Sequence, residues 1–251
     1  MPEPQAGLPW LIATVVELRP ETATAKTIAF DVPDWRGHLA GQHVDLRLTA
    51  EDGYVAQRSF SLASAAGNGT TIETTVQRVE EGEVSPFLVD ELRIGDELEL
   101  RGPIGGYFTW SPPGPRPLML IAGGSGIVPL MSMLRTRRNA RDAGTALLFY
   151  SSRSFDQILY RAELDQLAAA PGALTVIHTL TRGTPPGWAG EQGRIDRAML
   201  ARRGIAASEK PDIFVCGPTP FVESVADHLL SLGHAEASIR TERFGPTGET
   251  A

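Results

Sequence analysis

The chain has 251 residues, 42% of them hydrophobic, which leaves room for one large domain or two of ordinary size. A formal net charge of -7 and an isoelectric point near 5.3 argue against a protein that tracks nucleic-acid phosphates. The single cysteine, Cys216, excludes an internal disulfide, a cysteine-ligated iron-sulfur cluster and a four-thiolate zinc site within the chain, and it fits a reducing compartment. No basic run precedes Leu8-Pro9-Trp10-Leu11-Ile12, and that apolar stretch is too short to span a bilayer, so a cytoplasmic protein without a membrane span is expected.

From Trp10 to about Trp110, short β-rich runs alternate with turn residues. The candidate strands are Leu11 to Leu18, Thr24 to Asp31, His43 to Leu48, Arg58 to Leu62, Thr71 to Arg78 and Glu97 to Arg101. Many short strands without long helical periods predict an antiparallel barrel of Greek-key type, because closure removes exposed edges. One exception is Pro86 to Leu92, which reads as one or two helical turns capped by Ser85. A helix start is also a ready anion site, so Ser85 is either a cap or a phosphate contact.

Ser111-Pro112-Pro113-Gly114-Pro115-Arg116-Pro117 can sustain neither a helix nor a central strand and reads as a linker. Beyond it, strand runs at Leu118 to Ala122, Ala146 to Tyr150, Leu174 to Leu180, Ile213 to Cys216 and Ala237 to Thr241 alternate with helical stretches. Those helices are Leu130 to Arg141, Asp156 to Ala168, Asp196 to Arg203 and Pro220 to Leu232. Such alternation implies right-handed crossovers and a parallel five-stranded sheet in an α/β half, with its ligand outside the carboxyl ends of the strands.

Gly123-Gly124-Ser125-Gly126-Ile127-Val128-Pro129 joins the first of these strands to the first helix. Without Cβ atoms the turn lets a ligand's phosphates approach the backbone, and the helix start offers free N-H groups and a positive dipole end. Pro129 suits the first helical turn. Arg58 carries a planar fork suited to phosphate, or is an exposed barrel charge. Phe60 taken alone reads as core. Cys216 ends a strand just before a helix and is either a small buried apolar side chain or a positioned thiol whose pKa the helix start lowers. Arg135, Arg137, Arg138 and Arg141 gather at one helix end, where they meet the negative dipole or dock an acidic carrier. The five histidines show no metal-ligand spacing, so no metal is expected.

Arg58-Ser59-Phe60-Ser61-Leu62-Ala63-Ser64, then the glycine turn, then Val215-Cys216-Gly217-Pro218, in this order and at these separations, resemble the ferredoxin-NADP reductase superfamily. The resemblance covers nearly the whole chain and is strongest to single-component reductase modules that serve oxygenases and other acceptors. It implies an FAD-binding barrel domain at residues 8–111 and an NAD(P)-binding α/β domain at 117–251. It further implies that Arg58 contacts the flavin phosphates, Phe60 lies along the flavin in place of the usual tyrosine, and Ser61 hydrogen-bonds near N5. Ser59 and Leu62 then give backbone contacts, Thr75, Val76, Gln77 and Arg78 match a second flavin-contacting strand, and Gly82, Val84 and Ser85 match the pyrophosphate turn. The length of that turn favours FAD over FMN by analogy.

On the nicotinamide side the resemblance assigns Gly123, Gly124, Gly126 and Pro129 to the phosphate turn and Cys216, Gly217 and Pro218 to the nicotinamide. Glu242 and Phe244 match a carboxylate and an aromatic near the flavin, so Ser61, Cys216 and Glu242 are the expected catalytic group. The tail from Gly245 to Ala251 is expected to fold over the adenine end of the flavin or to lack structure. The second strand of the α/β half ends Tyr150-Ser151-Ser152-Arg153-Ser154, hydroxyls and a guanidinium where NAD sites of this architecture often place an acid. NADPH is therefore favoured, with Arg153 as main reader, Ser152 and Tyr160 as helpers and Arg182 as a further phosphate contact, while Asp156 keeps NADH open. The implied reaction passes a hydride from NAD(P)H to FAD and electrons to a separate ferredoxin, oxygenase or other redox subunit. The alternatives are a free-flavin reductase and a non-catalytic, flavin-binding regulatory subunit.

Overall fold

A computed structural model describes residues 7–50, 52–114, 116–170 and 174–245. The chain divides into two compact units, one running to Trp110 and including Met131–Thr136, the other made of Ser111–Leu130 and the residues from Arg137 onward. The expected tail beyond Gly245 and the linker residue Pro115 lie outside the described residues.

The first unit contains β1 (Leu11–Thr22), β2 (Ala25–Asp31), β3 (His43–Thr49), β4 (Val55–Ser61), β5 (Thr71–Gln77), α1 (Val84–Pro86) with a π-helical turn at Phe87–Glu91, and β6 (Glu97–Ile104). The strands form one antiparallel sheet in the order β4-β3-β6-β1-β2-β5. Ile28, Phe30, Leu46, Ile72, Leu88 and Leu100 are almost fully buried in its core, each burial contributing about 1.5–3 kcal/mol. β4 and β5 are the two edges. They meet at one end through a bridge between Leu62 and Thr74 and a hydrogen bond from Thr74 Oγ1 to the Ser61 carbonyl, 2.8 Å. The N-H groups of Ala63 and Ser64 also bond the Glu73 carbonyl, and among the described residues neither β4 nor β5 has a second ladder partner.

Ser85 does not cap the short helix as the sequence suggests. The helix begins two residues earlier than expected, at Val84, so Ser85 is already inside its first turn, and its Oγ instead accepts the Val79 N-H at 3.1 Å. That bond closes the loop between β5 and α1.

The second unit contains β7 (Leu118–Gly123), α2 (Ile127–Asn139, shared in its middle with the first unit), β8 (Ala146–Ser152), α3 (Arg161–Ala169), β9 (Leu174–Leu180), β10 (Glu191–Gln192), α4 (Arg197–Arg203), β11 (Asp212–Pro218), α5 (Thr219–Ser231) and β12 (Ile239–Phe244). Its sheet is wholly parallel, in the order β10-β9-β8-β7-β11-β12. The strand beyond the five expected is β10, whose two residues are too few to show a period in the sequence. Every residue of β7 and β8 is buried, which is why both read as unbroken apolar runs.

The single helix expected from Asp156 to Ala168 is split. Phe155–Gln157 forms a 3-10 turn and Tyr160 adopts a left-handed backbone, φ 54°, before α3 starts. Burial of Ile158, Leu159 and Tyr160 outweighs helical continuity there. The arginine cluster on α2 is likewise not a free basic face. Arg135 and Arg137 are buried, Arg137 donates to the Gly144 carbonyl, and Arg138 lies 3.6 Å from Glu163.

Candidate functional site

In the barrel, Arg58, Ser59, Phe60 and Ser61 form the end of edge strand β4. Phe60 packs partly against the core. The Arg58 side chain is 60% exposed, with Nη1 on its neighbour's carbonyl, Gln57 O, at 2.7 Å. Ser59 has its hydroxyl committed elsewhere: Oγ donates to the buried Asp45 at 2.6 Å, and Asp45 also takes Arg101 Nη2 at 2.7 Å. Only the backbone of Ser59 remains for a ligand.

The same holds on β5. Thr75 shares a 2.6 Å hydroxyl contact with Thr27, and Val76 is fully buried in the core. Arg78 is held by Asp90 at 2.8 Å and Glu80 at 2.6 Å, so its guanidinium braces the loop rather than standing open. In that loop Val84 is buried, and a Cβ at Gly82 would come within 3.1 Å of both Ser85 Oγ and the Val79 carbonyl. The groups that could face a ligand are thus the Arg58 fork, the face of Phe60, the Ser61 hydroxyl and the backbone of the edge strands β4 and β5. A planar heterocycle with a phosphorylated tail suits this set.

In the second unit, sheet order reverses between β7 and β11, since chain order runs outward from β7 through β8 and β9 on one side and from β11 to β12 on the other. A crevice at such a reversal is where open parallel sheets bind ligands. Both glycine motifs lie there. A Cβ built on Gly126 would stand 2.2 Å from the Cys216 carbonyl oxygen and 2.8 Å from the Gly217 nitrogen, so the turn rests directly on the backbone of β11. Gly124 has φ 56° with nothing near its missing Cβ, and the 3-10 turn Gly124–Gly126 leads straight into α2 with Pro129 in the first turn. Their first amide N-H groups lack intrahelical acceptors.

Phe221 is a residue the sequence reading missed. Its ring would be struck by a Cβ on Gly123, at 2.9 Å, or on Gly217, at 2.6 Å, so one aromatic on α5 seats both glycine turns. The only sequence signal was its place four residues after Gly217. Pro218 precedes α5 and is aligned with Phe244 on β12, which is 38% exposed.

Cys216 is aligned with Ala122 on one side and Glu242 on the other. Burial pushes the thiol well above its ordinary pKa, and the Glu242 carboxylate pushes it the same way. The expected lowering by a helix start does not occur, because this side chain lies within the sheet and away from water. Burial also raises Glu242 to about 7, and its Oε2 is buried without a hydrogen-bond partner among the described residues.

This gives a stability prediction with a definite sign. Between the ordinary carboxylate pKa and about 7 the folded chain keeps a proton that the unfolded chain has lost, so stability falls as pH rises through that window. Glu242→Gln is expected to flatten the fall, gaining on the order of 3 kcal/mol near pH 8 and nothing near pH 4. Melting temperature against pH checks this, and parallel curves for parent and variant would refute it.

At the far ends of β8 and β9, Arg153 and Arg182 are exposed neighbours joined by a backbone bond from Arg182 N to Arg153 O, 2.7 Å. Ser152 Oγ is buried and without a partner among the described residues, and Tyr160 is buried, so neither presents its side chain openly beside Arg153. Among the described residues no group of three or more His, Cys, Asp or Glu is placed to hold a metal. None of the described helices is long and apolar enough to cross a membrane.

Residues 14–109 match the family model described as the oxidoreductase FAD-binding domain, and residues 120–227 the oxidoreductase NAD-binding domain. Over 239 residues the chain is 33% identical to ferredoxin--NADP reductase B of Sorangium cellulosum, covering 92% of this chain and 96% of that one. It is 32% identical to the glycine betaine monooxygenase reductase subunit of Pseudomonas aeruginosa, of whose length it spans only 63%. The flavohem-like FAD/NAD-binding domain of nitric oxide dioxygenase from Vibrio cholerae superposes with a TM-score of 0.84 at 26% identity, over 94% of this chain and 99% of that one.

Proposed function

This chain belongs to the ferredoxin-NADP reductase superfamily, and from that premise we propose an FAD-dependent reductase that prefers NADPH and serves a separate acceptor protein. Its FAD-binding and NAD-binding domains make it an oxidoreductase that moves electrons from NAD(P)H through FAD to a partner. The observation that carries the reading is Gly126 resting on the Cys216 carbonyl at the reversal of the parallel sheet, a cradle that a side chain would fill.

When bound, the nicotinamide supplies the hydride and FAD the site that accepts it. In the proposal Arg58 and the loop of Gly82 and Ser85 bind the flavin phosphates, while Phe60 and the backbone of Ser59, Thr75 and Val76 orient the ring. Ser61 supplies a hydroxyl at the ring's edge. Gly123, Gly124 and Gly126 bind the dinucleotide phosphates, Pro129 fixes the first turn of α2 behind them, and Gly217 and Pro218 leave room for the nicotinamide. Cys216 keeps its proton as a compact neutral wall, Glu242 holds a proton near neutral pH, and Phe244 shields the rim. The acceptor proposed is a ferredoxin, an oxygenase or another redox subunit, with neither a nucleic acid nor a membrane as partner, and the site of action is the cytoplasm.

The NADPH preference rests on Arg153 and Arg182, whose guanidinium groups have no protein partner among the described residues and suit a 2'-phosphate. Ser152 and Tyr160 act from beneath, as support. Arg153→Ala is expected to raise KM for NADPH about tenfold and to leave that for NADH nearly unchanged, since one charge-assisted phosphate contact is lost. Equal effects on the two coenzymes would remove the preference.

The whole reading is tested by an absorbance spectrum of the purified protein followed by anaerobic titration with NADPH and NADH. A flavin spectrum retained through gel filtration and bleached by the reduced coenzyme is expected. Colour lost on the column would make flavin a released substrate, and bound flavin that neither coenzyme bleaches would make the protein a binding subunit.

A further inference from the structure

The stretch from Glu80 to Glu91, which runs from the loop before α1 through the π-helical turn after it, carries five carboxylates within twelve residues, Glu80, Glu81, Glu83, Asp90 and Glu91. Arg78 takes two of them, Glu80 and Asp90. Glu83 is directed elsewhere: its Oε2 lies 3.9 Å from Arg58 Nη2, and the Tyr54 hydroxyl donates to Oε1 at 3.0 Å. Its backbone cannot drift far. Val84 is buried in the barrel core, Ser85 is tied to Val79, and Gly82 packs closely on that same pair. A carboxylate is therefore held in the neighbourhood of the guanidinium proposed to take the flavin phosphate.

We infer that Glu83 is a built-in competitor for Arg58, a carboxylate whose hold on the guanidinium must be given up before a flavin phosphate can take it, so that Glu83 sets how tightly phosphorylated flavin is retained. The inference rests on the proposed role of Arg58. Two anions compete for one fork, and Tyr54 keeps the protein's own anion at hand. Removing the charge of Glu83 strengthens flavin retention, and it does so only for flavins that carry phosphate and only while Arg58 is present. An exposed pair of this kind is weak, so the gain is about two- to fivefold in dissociation constant.

The test uses the full chain reconstituted in turn with FAD, FMN and riboflavin, in the parent, Glu83→Gln, Arg58→Ala and the double variant, with flavin fluorescence reporting affinity. Expected are tighter FAD and FMN in Glu83→Gln, unchanged riboflavin, and no gain from Glu83→Gln when Arg58 is already alanine. Unchanged FAD affinity in Glu83→Gln overturns the inference. So does a gain that extends to riboflavin or persists in the double variant, because either would be general charge repulsion instead of competition for the fork. If Arg58→Ala alone binds FAD as tightly as the parent, the phosphate role of Arg58 itself fails, which separates that failure from failure of the competition.

Discussion

Replacing Arg58 with alanine is expected to strip the protein of its flavin while leaving the fold intact. The two parts of this result have separate physical origins. The side chain is 60% exposed, is tied to its own strand through Gln57 O and reaches Glu83 only at 3.9 Å, so its removal costs the barrel little, within about 0.5 kcal/mol. Charge-assisted bonds from a guanidinium to a phosphate contribute about 1.5–3 kcal/mol each, and losing one of them weakens flavin binding on the order of 10- to 100-fold. The flavin-to-protein absorbance ratio after gel filtration and the melting temperature of the flavin-free protein measure the two parts. Full flavin content in the variant would remove Arg58 from the site.

Gly126→Ala is expected to damage the nicotinamide side just as selectively. The added Cβ would stand 2.2 Å from the Cys216 carbonyl oxygen, and the obstacle is backbone of β11, paired on both sides in a parallel sheet, which cannot swing aside as a flexible side chain can. Overpacking of this kind costs about 1–3 kcal/mol, and relief by lifting the glycine turn moves the helix start that would bind the coenzyme phosphates. KM for NAD(P)H is expected to rise more than about tenfold, from the loss of phosphate contacts, while flavin content stays near that of the parent. Gly124→Ala makes a useful contrast, since φ 56° imposes backbone strain but nothing lies within reach of the new atom. Stopped-flow reduction of the bound flavin across a range of coenzyme concentrations would show the difference. An unchanged KM in Gly126→Ala would mean that the turn does not approach the ligand.

These two positions show why so much of the fold and site is legible in the sequence. Gly126 and Cys216-Gly217-Pro218 are short, contiguous signals whose meaning is local: glycine where backbones must meet, proline at a helix start, unbroken apolar runs for strands covered on both faces. The antiparallel and parallel halves followed from periodicity alone. Local pattern was weaker where competing burial decided the outcome, as at Tyr160, where three buried residues broke a helix that the pattern continued. It was also blind to β10, which exists only because Glu191 and Gln192 meet the edge of β9.

What the sequence by itself determined is the order of the pieces and the kind of chemistry each could offer: two domains, a glycine cradle at a helix start, an arginine on a short barrel strand. Only the tertiary structure decided which side chains remain available, because availability depends on neighbours that are distant along the chain. Ser59 is taken by Asp45 fourteen residues away, Thr75 by Thr27 forty-eight away, and Arg78 by Asp90 across a loop. The proton on Glu242 is decided in the same manner, since desolvation within a sheet raises a carboxyl that the sequence shows only as one more acid.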